Sequence, residues 1–117
     1  MVASLRTQHL CHAPGCDHRV PPRMFACRDH WYALPKKHRD AIWAEYRPGQ
    51  EADKRPSHRY LAVQLAACAV LAFKPGDEEA AFLVANLTLQ ARTHRNAAVA
   101  AGQGDPFLQL GKPWVDL

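Results

Sequence analysis

The clearest hydrophobic pattern in the chain is Leu61 to Phe73, thirteen residues of which all but Gln64 are apolar. A transmembrane helix needs about 20 apolar residues, so this length predicts a buried core helix and no membrane span. Ser57 is suited to cap the helix because its hydroxyl can accept a backbone N–H of the first turn. Cys68 lies in the middle of the segment, where we expect it to act as a small buried side chain.

A second helix is predicted after the turn Lys74-Pro75-Gly76-Asp77, from about Glu78 to Ala100. Asp77 is the expected cap, and acidic residues follow it in the first turn, where the helix dipole favours them. One apolar stripe recurs at helical spacing: Ala80, Leu83, Val84, Leu87 and Ala91. Phe82 and Leu89 lie on another side, so the helix either packs between the preceding helix and the C-terminal segment or supports a dimer.

A shorter helix is predicted over residues 35 to 46, with Pro35 at its first position. Arg39, Ile42, Trp43 and Tyr46 share one side of it. The first turn is basic (Lys36, Lys37, His38 and Arg39), whereas the positive end of a helix dipole favours acidic residues. This turn is either a solvated face that tolerates the mismatch or a place where an anion binds.

The C-terminal segment, Gly102 to Leu117, is apolar but contains glycine and proline. Its large apolar residues are Phe107, Leu108, Leu110, Trp114 and Val115. Apolar segments of this kind are rarely left in solvent. The segment therefore either folds back over the helices or anchors a partner protein through Phe107, Leu110 and Trp114.

The N-terminal region contains the pattern C-x4-C, a ten-residue spacer, and C-x2-H. Zn²⁺ prefers thiolate and imidazole ligands, and structural sites usually have four of them. Pro14-Gly15 predicts a tight turn between Cys11 and Cys16. Cys27 and His30 are neighbours on one face if a helix begins near residue 26. The pattern predicts one structural Zn²⁺ held by Cys11, Cys16, Cys27 and His30.

Alternatives to this zinc site are a disulfide, free thiols, or the use of His9, His12 or His18 in place of His30. Four good ligands leave no open position for a reactive water, and no carboxylate is placed as a general base. We therefore expect no enzyme. The fold class predicted is mainly α, a small treble-clef-like Cys3His zinc finger followed by about three helices. Residues 1–50 would form the finger and basic helix and 51–117 the helical unit, together one compact unit.

Charge is distributed unevenly along the chain. Residues 1 to 60 hold eleven Lys or Arg and six Asp or Glu, a net +5, whereas residues 61 to 117 have a net charge of −1. A basic half can meet phosphates or an acidic protein surface. The candidate nucleic-acid contacts are Arg19, Arg23, Arg28, Lys36, Lys37 and Arg39, with Trp31 or Tyr32 able to stack on a base. No established nucleic-acid-reading motif accompanies them.

Residues of about 10 to 50 resemble a group of small zinc-finger proteins of phages and prophages in GC-rich bacteria. The resemblance is carried by C-H-A-P-G-C, P-P-R-M-F-A-C-R-D-H-W and L-P-K-K-H-R-D-A-I-W-A-E-Y-R-P-G-Q. It implies a phage accessory protein with no reaction to carry over. We expect it to bind nucleic acid or, alternatively, to capture a host or defence protein, with no small-molecule substrate. Residues 1 to 10 contain no apolar run typical of a signal peptide, so the expected location is the bacterial cytoplasm.

Overall fold

The computed structural model describes residues 8–47, 50 and 55–111. Within these residues, two short strands, β1 (His9–Leu10) and β2 (Arg19–Val20), are followed by four α-helices and a 3-10 helix. The helices are α1 (Arg28–Ala33), α2 (Lys36–Glu45), α3 (His58–Ala72) and α4 (Glu78–Ala100), and the 3-10 helix spans Pro106–Leu110. The protein is mainly α, with a Cys3His cluster preceding the three longer helices, as predicted.

Local sequence signals determine where the two long helices begin. Ser57 Oγ accepts the Tyr60 N–H at 3.0 Å, and Asp77 Oδ1 accepts the Ala80 N–H at 3.0 Å. Both side chains are the predicted caps, and each satisfies a backbone donor that the first turn cannot pair internally.

Helix α3 lies at the centre of the molecule and packs most extensively against α4, with further contacts to α2 and the 3-10 helix. Its alanines at positions 62, 66, 67 and 69 have no exposed surface, so neighbouring elements approach the backbone closely. Cys68 is buried, as predicted, and its Sγ donates to the His12 carbonyl oxygen at 3.5 Å. Burial raises the pKa of the Cys68 thiol to about 12, so it remains protonated at neutral pH.

The described part of the C-terminal segment, residues 102–111, folds back over the helices. Phe107 is 5% exposed and Leu110 is fully buried, and both belong to the cluster that also contains Ile42 and Tyr60. This corrects the alternative in which these two side chains anchor a partner, because a side chain inside the core is not available to another protein. Trp114, the third residue of that prediction, lies outside the described residues.

Two expectations about helix faces also need correction. Phe82 and Leu89 are 79% and 64% exposed, so neither α3 nor the described part of the C-terminal segment covers this side of α4. On α2, the buried residues are His38, Ala41 and Ile42, while Trp43 is 57% exposed. Helical periodicity placed Trp43 and Ile42 on the same side of α2, but the core covers Ile42 and leaves Trp43 exposed.

Among the described helices, none combines the length and apolar character needed to cross a bilayer.

Candidate metal centre and aromatic cleft

A small hairpin positions the first two cysteines. β1 and β2 pair antiparallel, with His9 opposite Val20 and Leu10 opposite Arg19. Cys11 directly follows β1 and donates its backbone N–H to the His18 carbonyl at 2.8 Å. The turn between the strands contains Gly15 at φ +83°, a conformation that glycine adopts without strain. In this turn the Cys16 N–H donates to the Ala13 carbonyl at 3.0 Å, which bends Cys16 back toward Cys11.

The first helix positions the other two candidate ligands. Cys27 is the N-cap of α1, and its carbonyl accepts the Trp31 N–H at 2.8 Å. His30 is three residues later in α1, so its side chain lies on the same face as Cys27. The hairpin and the helix start thus supply two ligands each, which is the predicted treble-clef-like layout.

The four side chains converge on one point. One ligand atom from each of Cys11, Cys16, Cys27 and His30 lies within 4.8 Å of the others. His30 Nδ1 is 3.6 Å from Cys11 Sγ and 3.2 Å from Cys27 Sγ. Tetrahedral zinc, with its usual bond lengths, separates a sulfur and a nitrogen ligand by about 3.6 Å. The spacing is therefore compatible with a bound metal ion, and none of the four cysteines forms a disulfide.

The surroundings favour an ionised ligand at Cys27. Its sulfur accepts the backbone N–H of His30, and this is the largest of the hydrogen bonds that together lower the pKa of the Cys27 thiol to about 6. Burial raises the pKa of the Cys11 thiol above its ordinary value of 9.0. Metal ligation requires thiolates, so binding at Cys11 would release a proton.

The alternative histidine ligands lie outside the four-residue cluster. His18 Nδ1 lies 3.7 Å from Cys16 Sγ, and hydrogen bonding to Cys27 raises the pKa of His18. His9 Nδ1 bonds to the Leu10 carbonyl at 2.8 Å. The His12 ring stacks on Phe25, with 5.2 Å between centroids. His30 is therefore the histidine that completes the cluster.

The predicted basic residues are spread over the strands, the spacer and two helices. Arg19, Arg23, Arg28 and Lys37 are exposed. Lys36 pairs with Asp40 at 2.7 Å, and both side chains are largely exposed. Arg39 is half-buried: its Nε donates to the Leu34 carbonyl at 3.3 Å, and its guanidinium lies 5.3 Å from the centroid of the Tyr32 ring. Lys36 and Arg39 thus already have protein partners.

A row of aromatic rings lines a cleft beside the finger, which we call the aromatic cleft. Trp31 meets Trp43 edge-on at 6.2 Å, Trp43 meets Tyr46 at 5.8 Å, and Tyr46 meets Tyr60 at 6.4 Å. The cleft contains a cavity of about 60 Å³ that is partly open to solvent, and Arg23 and Met24 of the spacer also line it. Trp31 is among the contacts predicted from sequence, whereas Trp43 is not. The signal that could have indicated Trp43 is its large aromatic side chain in the same short helix as the basic turn.

Comparisons of this chain with protein-family models, with curated proteins and with solved structures found no match. The resemblance to phage and prophage zinc-finger proteins stays a prediction.

Proposed function

We propose that this chain is a zinc-stabilised nucleic-acid-binding accessory protein of the phage or prophage type. The observation that carries the proposal is the aromatic cleft, where Arg23 from the finger lines the same opening as Trp31 and Trp43. One cationic group and exposed aromatic surface are thereby combined in the basic half of the chain.

Zinc is the metal that suits the Cys3His cluster. Three sulfur atoms and one imidazole nitrogen form a soft donor set, which Zn²⁺ favours and Mg²⁺ or Ca²⁺ does not. Four protein ligands complete a tetrahedral shell, so the ion would hold the hairpin to α1 and have a structural role. It would fix Arg19 and Arg23, which lie between the two ligand pairs, relative to Trp31.

Electrostatics and stacking together favour nucleic acid as the ligand. Arg28 precedes Trp31 by three residues, so the two side chains share a face of α1. Exposed guanidinium groups at Arg23 and Arg28 can neutralise phosphates, and the half-buried Trp31 and exposed Trp43 present ring surface to a base. A base in a duplex has both faces covered by its neighbours, so the cleft favours single-stranded DNA or RNA over duplex.

The test is fluorescence anisotropy of zinc-loaded protein with short labelled single strands and duplexes, at low and physiological salt. We expect stronger binding to single strands, falling steeply as salt rises because bound phosphates release counterions. Trp43→Ala should weaken binding about 5- to 100-fold, since stacking of one base contributes about 1–3 kcal/mol. Phe73→Ala is the control. Phe73 is similarly exposed, at 56%, but it lies at the C-terminal end of α3, whereas Tyr60 of the aromatic cleft lies near the N-terminal end of that helix.

Charge reversal provides a second arm of the test. Arg23→Glu and Lys37→Glu should each weaken binding and lower its dependence on salt. Lys74→Glu is the control with the same change of charge. Lys74 lies just beyond the C-terminal end of α3, and that end is about 18 Å along the helix from Tyr60 of the aromatic cleft. Binding that is absent, insensitive to salt, or reduced equally by Lys74→Glu would contradict the proposal.

A protein-interaction module remains the second candidate function, for example a phage factor that captures a host or defence complex. Burial of Phe107 and Leu110 removes two of the three C-terminal side chains first considered for such an anchor. The exposed apolar residues of α4 supply a different surface, with Phe82 and Leu89 as its largest members.

A further inference from the structure

Helix α4 carries an exposed face with coiled-coil spacing, and none of its residues lines the aromatic cleft. Seven exposed residues follow one another at alternating steps of four and three along the whole helix, and we call them the α4 seam: Glu78, Phe82, Ala85, Leu89, Arg92, Asn96 and Val99. Alternation of four and three is the spacing of the residues that meet in a two-helix interface. The buried face of the helix is a different one, formed by Ala80, Val84, Thr88, Ala91 and Ala98.

The apolar part of the α4 seam lies in its N-terminal half. Phe82 is 79% exposed and Leu89 is 64% exposed, and these two large apolar side chains lie one heptad apart. Beside Phe82 there is a shallow depression lined by Glu78, Ala81, Phe82 and Ala85. These positions are i, i+3, i+4 and i+7, which is the four-residue hole that receives one side chain in knobs-into-holes packing.

Charges at the two ends of this apolar patch are opposite in sign. Glu78 and Glu79 lie on its N-terminal side, and Arg92 lies on its C-terminal side. A parallel copy of the helix would place like charges together. An antiparallel copy would place the acidic end of each helix against Arg92 of the other, so the charge pattern complements itself in one orientation only.

We propose that the α4 seam is a self-association surface, on which a second copy of this chain packs its own α4 antiparallel. The two-fold axis passes close to Ala85, whose small side chain permits close approach of the helices. Leu89 of each copy enters the hole beside Phe82 of the other, and Glu78 of each copy then lies opposite Arg92 of the other. All three pairings follow from one register, which is the geometric reason for choosing a second copy as the occupant.

The experiment is sedimentation velocity of the zinc-loaded full chain over a wide range of protein concentration, with circular dichroism to confirm that each variant is folded. We expect a reversible monomer–dimer equilibrium in the wild type. Leu89→Glu should raise the dimer Kd at least about tenfold, because it places a charge in the apolar hole. Leu108→Glu is the control: Leu108 is 75% exposed on the 3-10 helix and is not a member of the α4 seam, so this variant should dimerise like the wild type.

A charge swap tests the orientation. Glu78→Arg alone and Arg92→Glu alone should each raise the dimer Kd about 2- to 10-fold, since the symmetric dimer contains two such pairs near its surface. The double variant, which exchanges the two charges within one chain, should restore the wild-type value. In a parallel dimer neither single change would break a favourable pair, so single variants with unchanged Kd would overturn the antiparallel register.

Other results would overturn the self-association itself. A wild type that is monomeric at all concentrations would show that the α4 seam is left open for a different protein or for none. A dimer that Leu89→Glu leaves intact would place the interface elsewhere. Neither result would bear on nucleic-acid binding, which depends on residues at the finger and the aromatic cleft.

Discussion

Glu45 at the end of α2 and Arg59 at the start of α3 form a two-pronged ion pair, with Arg59 Nε and one terminal nitrogen each 2.8 Å from a carboxylate oxygen. The side chains are only 12% and 27% exposed. Gln109 of the 3-10 helix donates to Glu45 Oε2 at 3.0 Å, and Arg59 donates to the Gln103 carbonyl at 2.7 Å. This pair therefore connects α2, α3 and the C-terminal segment.

Replacing the carboxylate should destabilise the protein more than loss of an ordinary surface pair. We expect Glu45→Gln to lower the free energy of unfolding by about 1–3 kcal/mol, since charge-assisted, two-pronged hydrogen bonds are among the stronger ones. Asp40→Asn is the control, because the Lys36–Asp40 pair is 78% and 61% exposed and should contribute less than about 0.5 kcal/mol. Urea denaturation measures both, and equal losses would show that the Glu45–Arg59 pair is no stronger than a surface pair.

The same pair predicts a pH dependence. Hydrogen bonds from Arg59 lower the pKa of Glu45 in the folded protein below its ordinary value of 4.5. The carboxylate thus contributes its full stabilisation above that value and loses it as the pH falls through the lowered folded pKa. We expect the difference in unfolding free energy between wild type and Glu45→Gln to be constant above the ordinary value and to shrink below it.

Comparing the two proteins at each pH separates this effect from loss of metal in acid, because metal release affects both alike. Urea midpoints measured from neutral pH down through the acid transition provide the data. A difference that stays constant throughout would mean that Glu45 titrates alike in the folded and unfolded chains.

Replacing one candidate zinc ligand should abolish metal binding and destabilise much of the fold. Cys27→Ser should abolish stoichiometric zinc and lower the melting temperature, because structural zinc sites of small fingers contribute about 10 kcal/mol or more. Cys68→Ala should keep one zinc per chain, since Cys68 donates to the His12 carbonyl and is not part of the cluster. Metal analysis and thermal melts measure both effects, and retained zinc in Cys27→Ser would remove Cys27 from the ligand set.

The 3-10 helix offers a direct test of whether the C-terminal segment belongs to the core. Leu110 is fully buried and Leu108 is 75% exposed on the same short element. Leu110→Ala should therefore cost about 2–5 kcal/mol, whereas Leu108→Ala should change stability by less than about 0.5 kcal/mol. Chemical denaturation measures both. Similar small losses would show that the segment is docked only loosely.

The features that sequence predicted correctly are those determined by residues close together in the chain. Ser57 and Asp77 mark the starts of α3 and α4 because a cap acts on backbone donors two or three residues away. The spacing of the cysteines and the histidine predicted the four-residue cluster for the same reason. A turn within C-x4-C and a helix start at C-x2-H each bring two side chains together locally.

Contacts between elements that are distant in the chain could not be predicted from the sequence. Periodicity gives the residues that share a face of α2, but only packing decides that Ile42 is covered and Trp43 is left in the aromatic cleft. The ion pair of Glu45 with Arg59 joins two helices across a loop, and no local pattern identifies such partners. Burial of Phe107 against core residues beyond its own segment is of the same kind.

Helix α4 contains a buried hydroxyl whose removal should stabilise the protein. Thr88 is 2% exposed, and among the described residues no hydrogen-bond partner lies within reach of its Oγ1. Thr88→Val keeps the shape of the side chain and removes an unpaired polar atom from the core, so we expect a gain of about 1 kcal/mol. Thr93→Val is the control in the same helix: Thr93 is exposed and donates to the Leu89 carbonyl at 3.0 Å, so this change should be neutral or slightly destabilising. Urea denaturation distinguishes the two, and a loss of stability in Thr88→Val would mean that the hydroxyl has a partner in solution.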